Sequence, residues 1–452
     1  MNTIWLTLSE TVLIELEQSA DEGRDTRGFS DEAHQIFEAC RAGSPREDEA
    51  RILIDRMRNA PLAKDYPYFE PASLEEIRKV RPRTGSAEKI EKFERALLYD
   101  KVYGAWLGRC AGCLLGQPVE GWARGRITGL LKETGNYPVN YYISSDINDE
   151  LRKKYDVVDF RQTYGSNKVS WINNVSCMPE DDDTNYTILY LKALESKGRD
   201  FTSDDVVESW LMNLPIFHVC TAERVAYHNF VNLVPPPLSG SYYNAYREWI
   251  GAQIRADFFG YVCPGNAETA AEYAWRDARI SHTKNGIYGE MFCAAMIARA
   301  AVSNDPKDIV QNGLNEIPEK SRLHEGVTKV LAWREKGTGW EEALNNIHAI
   351  YDESNGHHWC HTISNAMICA AALLWGDGDF EKTIGIAVCA GFDTDCNAAT
   401  TGSAAGMMLG AGKLPDKWIM PLNNMVKSGV DGFSLTEISV LADRTVQFAL
   451  GK

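Results

Sequence analysis

Between Pro318 and Pro415 the chain runs without a single proline. Proline removes a backbone donor and clashes with the preceding turn, so its absence over so long a stretch leaves that stretch free to be helical. Elsewhere prolines cluster at Pro61, Pro67 and Pro71 and at Pro235-Pro236-Pro237, where they mark connections. Apolar residues recur at helical spacing, as in Leu8, Val12, Leu13 and Leu16, and again in Ile188, Leu189, Leu191 and Leu194. Alternation of β-branched residues is confined to one short candidate strand around Tyr155 to Phe160. The fold class is all-α.

A chain of 452 residues, 44% of them hydrophobic, can bury a substantial core. Its formal charge of −16 disfavours nucleic-acid polymers as the main partner, because tracking a phosphate backbone requires surplus Lys and Arg. The longest apolar run, Ala366 to Trp375, falls short of the roughly 18 residues that span a bilayer, so no membrane role is expected. The opening residues carry no basic flank and do not read as a signal peptide. The odd count of eleven cysteines, several within small-residue runs (Cys110, Cys113, Cys369, Cys389), points to reduced thiols and a cytoplasmic location. Ser73-Leu-Glu-Glu76 spells a capping box after the proline-bearing segment, and a boundary falls between residues 60 and 98. We divide the chain into a helical extension, 1–97, and a main domain, 98–452. None of the chemical motifs falls in the extension, which reads as an appendage.

Three motifs carry chemistry. Glycines 104, 108, 112 and 116 repeat every four residues, which keeps them on one slowly drifting side of a helix where another backbone can approach. Gln117-Pro118 stops that helix and delivers Glu120 just past its end. Next, Glu180, Asp181, Asp182 and Asp183 precede an amphipathic helix. One Asp is an ordinary N-cap, but four adjacent carboxylates are more than a helix terminus favours, at about 0.3–1 kcal/mol per charge. They are either splayed in solvent or neutralised by a metal. Last, Asp393 and Asp395 follow Gly391 at the head of a helix crowded with Ala398, Ala399, Gly402, Ala404, Ala405, Gly406 and Gly410. Carboxylates opening a closely packed helix require compensation, since an isolated buried ion costs several kcal/mol. Carboxylate oxygens suit hard divalent cations.

In these residues the chain resembles the ADP-ribosylglycohydrolase family, which includes the dinitrogenase-reductase-activating glycohydrolases. The family's glycine-spaced helix ending in Pro and then Glu is matched by Gly104 through Glu120. Its acidic motif is matched by Asp181-Asp182-Asp183-Thr184, and its closing motif by Gly391-Phe392-Asp393-Thr394-Asp395-Cys396. The order and spacing agree over roughly residues 98 to 450. The resemblance implies an orthogonally packed all-α domain that hydrolyses N- or O-glycosidic bonds of ADP-ribosylated or related ribosylated substrates. It also implies two bound Mg²⁺ ions, with Mn²⁺ as an alternative. Asp182, Asp183, Asp393 and Asp395 would ligate the metals, with Asp181 standing where the family has a Thr ligand. Glu120 and Asp393 would be catalytic, Glu120 managing the attacking water. His282, in a stretch similar to the family's His-containing segment, and Cys396 and Asn397 would contact substrate.

Some residues depart from the family pattern. Cys396 replaces a Thr ligand and is too soft for Mg²⁺, leaving Asn397 as an oxygen donor; Cys113 replaces an Asp. These changes leave two alternatives open, a non-catalytic ADP-ribose or metal binder and a hydrolase of a smaller ribosylated metabolite. His357, His358, Cys360 and His361 lie close in sequence but lack the accompanying frame of a zinc site, so they read as a structural cluster. Gln253, Arg255 and Asp257 are candidate pocket residues, or simply an ordinary helix.

Overall fold

The computed structural model describes residues 4–82, 93–163 and 166–451. Part of the interval assigned to the domain boundary, residues 83–92, lies outside the described residues. Among the described residues there are twenty-three α-helices and two small antiparallel hairpins, Phe160–Thr163 with Ser166–Lys168 and Met425–Lys427 with Leu435–Glu437. The protein is all-α, as its periodicity predicts. The strand expected around Tyr155 to Phe160 begins only at Phe160. Asn148 caps a short helix, Asp149–Lys154, by accepting the Leu151 amide, and Asp156 then takes a φ of 47°, which interrupts any extended run before it. No helix among the described residues is long and apolar enough to cross a membrane, and none of the eleven cysteines forms a disulfide.

The helix Arg95–Gly116 and the helix Thr394–Leu409 organise the core. Their glycines form an antiparallel zipper. A Cβ at Gly104 would strike the backbone of Gly406, one at Gly108 that of Gly402, one at Gly112 that of Ala398, and one at Gly116 that of Thr394. Each four-residue step up one helix is matched by a four-residue step down the other, and two backbones meet with no side chain between them. The C-terminal end of the first helix is therefore locked against the N-terminal end of the second. Thr394 seals the junction by donating its hydroxyl to the Gly116 carbonyl at 2.9 Å. This register sets Glu120, just beyond Gly116, beside the acids that open the other helix.

Three helices near the N-terminus, Leu8–Asp21, Ser30–Arg41 and Glu47–Arg58, share a small core of their own around Val12, Ile36, Leu53, Ile54 and Met57. The first of them turns its other face, polar yet buried, toward the main body. Glu15 pairs with Arg247 at 2.8 Å and with Arg58 at 2.6 Å. Gln18 donates to Glu248 at 2.9 Å, and Glu22 receives Arg247 at 2.6 Å and Lys284 at 2.7 Å. Further along, Glu70 pairs with Arg322, Ser73 caps Leu74–Val80 by accepting the Glu76 amide, and Ile77 enters the main core.

Burial alone would raise the Glu15 pKa, but the Arg247 and Arg58 guanidiniums overcome it and hold the carboxyl down at about 2. A depressed folded pKa stabilises the protein above the unfolded value and loses that contribution as pH falls toward the folded one. Glu15→Gln is therefore expected to cost about 3 kcal/mol at pH 7, with the gap from wild type shrinking as pH drops from about 5 toward 2. Urea denaturation of both proteins across that range measures it; a gap independent of pH would refute the pairing.

Candidate metal centre

The acids foreseen at two helix starts converge. Asp181 is the N-cap of the helix Asp182–Lys197; one of its oxygens accepts the Asp183 amide at 3.0 Å and the other accepts Gln117 Nε2 at 2.7 Å. At the other helix start, Gly391 and Phe392 both take positive φ, 75° and 54°, turning the chain so that Asp393 takes the N-cap position of Thr394–Leu409 without a side-chain capping bond and Asp395 lies in its first turn. Ligand atoms of Asp181, Asp183, Asp395 and Cys113 lie within 4.8 Å of one another, and so do those of Asp393, Asp395 and Cys396. Asp395 belongs to both groups. Asp182 is half-buried and, with Glu120, Asp393, Asp395 and Cys396, lines a cavity of about 750 Å³.

The electrostatics of this cluster are unfavourable without a counter-ion. Burial pushes up the pKa of Asp181, Asp182, Asp183, Asp393 and Asp395; neighbouring carboxylates push Asp182, Asp183 and Asp395 further up, Glu120 among them for Asp182 and Asp395, whereas hydrogen bonds within the site partly offset burial at Asp181 and Asp393. One buried oxygen on Asp393 and one on Asp395 have no hydrogen-bond partner. Oxygen donors that are crowded, desolvated and partly orphaned fit a hard divalent cation. The two thiols do not add to the ligand set. Burial, followed by the adjacent aspartates, raises Cys113 and Cys396 well above the ordinary thiol range, and a protonated thiol is a poor partner for such an ion.

One buried arginine, Arg109, was not identified from the sequence, and a second, Arg255, lies beneath the cavity for which it was a candidate. Arg109, on the glycine-bearing helix and fully buried, donates to Asp183 Oδ1 at 3.0 Å, to Asp257 at 2.6 Å and to the carbonyls of Asp183 and Ile254. It fixes the carboxylate and the backbone of Asp183 together. Arg255 reaches Glu223, on the cavity wall, at 2.7 Å and Asp277 at 2.6 Å. Gln253, Arg255 and Asp257 are thus buried beneath the cavity, and of their neighbourhood Ile254 lines it. The one available signal was the presence of a lone arginine within an otherwise small and apolar helix.

Other foreseen residues are not brought to the cavity wall. His282 is buried, with Nδ1 2.8 Å from Ser281 Oγ, and burial and then Arg255 lower its pKa. Asn397 uses its amide inside the core, donating to Asn365 at 2.7 Å and accepting the Cys369 thiol at 3.4 Å. Glu180 pairs with His218 at 2.5 Å. By contrast the N-terminal segment, read as an appendage, reaches the wall through Ile4 and Trp5.

The histidine cluster is structural. His357, His361 and Asp21 bring ligand atoms within 4.8 Å of one another. However, His357 Nδ1 accepts the Trp249 indole N–H at 3.0 Å and His361 Nδ1 accepts the Ile363 amide at 3.1 Å. With Nδ1 an acceptor in both rings, Nε2 is the nitrogen left to carry a proton, 3.1 Å from Asp21 in His357 and 3.6 Å from Glu248 in His361; a metal bound at Nε2 would need the opposite tautomer.

Residues 94–450 match the family model described as ADP-ribosylglycohydrolase. No curated protein matches the chain. The chain is similar to a solved structure described as "ADP-ribosylglycohydrolase-related protein complex", at 18% identity and a TM-score of 0.46, over 78% of this chain and 99% of that one.

Proposed function

Since this chain belongs to the ADP-ribosylglycohydrolase family and is thereby a glycosidase of ADP-ribosyl substrates, we propose that it hydrolyses an N- or O-glycosidic bond at a two-cation, Mg²⁺-dependent site. One observation carries this reading. Four buried aspartates from two helix starts, Asp181, Asp183, Asp393 and Asp395, crowd into two groups that share Asp395, with orphaned oxygens on Asp393 and Asp395. Asp181, Asp183 and Asp395 would hold one ion, and Asp182, Asp393 and Asp395 the other, with Mn²⁺ able to replace Mg²⁺. Bound there, the ions would supply Lewis-acid stabilisation of charge and orientation of the ribosyl hydroxyls.

The side chains of the chain itself supply the rest. Glu120, half-buried at the end of its helix and on the cavity wall, is placed to take a proton from the water that attacks the anomeric carbon. Asp393, also on the cavity wall, orients the reacting sugar. Cys396, neutral and on the wall, offers a weakly polar contact to substrate in place of a ligand. Arg109 is a positioning residue, acting through Asp183. His282 and Asn397 support the site from beneath. Residues 98–452 form the catalytic unit in this reading, and eleven cysteines without a disulfide favour a reducing, cytoplasmic setting.

The test is a hydrolysis screen over ADP-ribosyl-arginine, ADP-ribosyl-serine and smaller ribosylated compounds, with EDTA controls. Turnover is expected with Mg²⁺ and is expected to be lost with EDTA. Glu120→Gln is expected to lower kcat about a hundredfold while Mg²⁺ still binds, as general-base removal does. Full hydrolysis by that variant at saturating Mg²⁺ would reassign the base. Metal-independent turnover, or no metal binding at all, would overturn the two-cation site.

A further inference from the structure

The cavity is larger than one ribosyl unit needs, and its walls differ in character. The lining includes Glu120, Asp182, Asp393 and Asp395 and also Ile4, Trp5, Phe217 and Trp359. Ile4 and Trp5 come from a part of the chain that the family model does not match, since the match begins at residue 94.

Trp5 is held in place from several sides. The Arg224 guanidinium lies over its ring, 4.3 Å from the centroid, and 5.4 Å from that of Phe217. Arg224 is itself fixed by donating to the Val219 carbonyl at 2.9 and 3.2 Å, and it reaches the Ile4 carbonyl at 3.5 Å. Trp5 takes a φ of 71°, a conformation unfavourable for a bulky residue that persists only where the surroundings enforce it. Glu47 accepts the Leu8 and Ser9 amides at 2.8 and 3.1 Å, closing the start of the helix that follows. The buried charges of that helix then pin it to Arg247, Glu248 and Lys284. A segment anchored at this cost and ending on the cavity wall is part of the binding site.

We propose that the N-terminal segment is a specificity element of the site: Trp5, backed by Arg224 and flanked by Phe217, receives a flat aromatic or apolar group of the substrate other than the ribosyl unit. This rests on the ADP-ribosyl reading above. That group belongs either to the nucleotide base or to the aglycone, and both present the same planar chemistry to Trp5. A contact with a group that does not react, made equally in the ground and transition states, acts on KM and leaves kcat alone.

The experiment compares wild type, Trp5→Ala and Trp5→Phe with Mg²⁺ present. It combines calorimetry with ADP-ribose and ribose 5-phosphate and steady-state hydrolysis of ADP-ribosyl-arginine and ADP-ribosyl-serine. If the base lies on Trp5, Trp5→Ala weakens ADP-ribose about 3- to 10-fold and leaves ribose 5-phosphate unchanged. If the aglycone does, ADP-ribose binding is unchanged and KM for the linked substrate rises by a similar factor. In either case kcat stays within about twofold and Trp5→Phe restores most of the loss. Binding and KM unchanged in Trp5→Ala across all ligands, or a fall in kcat alone, would overturn the proposal. Wild type that neither binds nor cleaves any ADP-ribosyl compound would instead overturn the functional reading, and this proposal with it.

Discussion

Asp395→Asn is expected to abolish hydrolysis, by about a thousandfold, while making the metal-free protein more stable. The two effects have one cause. Asp395 is the carboxylate shared by both candidate ligand groups, so losing its charge would weaken both of the proposed ions at once. Lewis-acid stabilisation worth several kcal/mol disappears with them. In EDTA the same carboxylate is a liability. Burial raises its pKa well above the ordinary range, and Glu120, Asp393, Asp181 and Asp183 raise it further, so the folded state disfavours its charge at neutral pH. A neutral amide of the same shape relieves that penalty, by about 1–2 kcal/mol. Thermal denaturation with EDTA and with Mg²⁺ separates these terms. A ligand at a hundred times its Kd stabilises a fold by about 2.7 kcal/mol, and that increment is expected in wild type and not in the variant. An equal Mg²⁺-induced rise in both proteins would remove Asp395 from the metal centre.

The parts of this site legible in the sequence are those that break a local rule. Asp181-Asp182-Asp183 and Asp393 with Asp395 stood out because a helix start needs one cap and these helices carry more. The glycine repeat stood out because glycine disfavours helices unless packing demands it. Pairings between distant segments did not show. Arg109 meets Asp183 and Asp257, and Glu15 meets Arg247, across sequence separations that no periodicity encodes. The same limit hid the role of the extension. Its residues Glu15, Gln18 and Glu22 look like the solvated face of an amphipathic helix until Arg247, Glu248 and Lys284 are placed opposite them. Ile4 and Trp5 carry no motif at all. Asn397 shows the converse. Its place in the closing motif suggested substrate contact, but the helix rotation that points Asp393 and Asp395 at the cavity turns Asn397 toward Asn365 and Cys369.

Gly112→Ala is expected to cost about 3 kcal/mol or more and to reduce activity well beyond what the loss of folded protein explains. The added methyl would meet the carbonyl oxygen and carbon of Ala398, both inside the 3.0 Å that Cβ atoms keep, and both are backbone. A flexible side chain can swing away, whereas a helix backbone yields only by moving the helix. Separation at Gly112 also loosens the contacts of Gly108 with Gly402 and of Gly116 with Thr394, since all lie in one register. The displaced ends are those that carry Glu120 on one helix and Asp393 with Asp395 on the other, so the distance between the base and the acid cluster changes together with the packing. Gly125→Ala serves as the control. It sits exposed on the helix Arg124–Glu133, and an added Cβ there meets nothing within 4 Å. That variant is expected to be neutral or stabilised by about 0.5–1 kcal/mol, because alanine restricts the unfolded chain more than glycine does. Urea denaturation and kcat/KM of the two variants, measured side by side, test the claim. If Gly112→Ala unfolds at the wild-type midpoint, the two helices are not in the contact that sets the site.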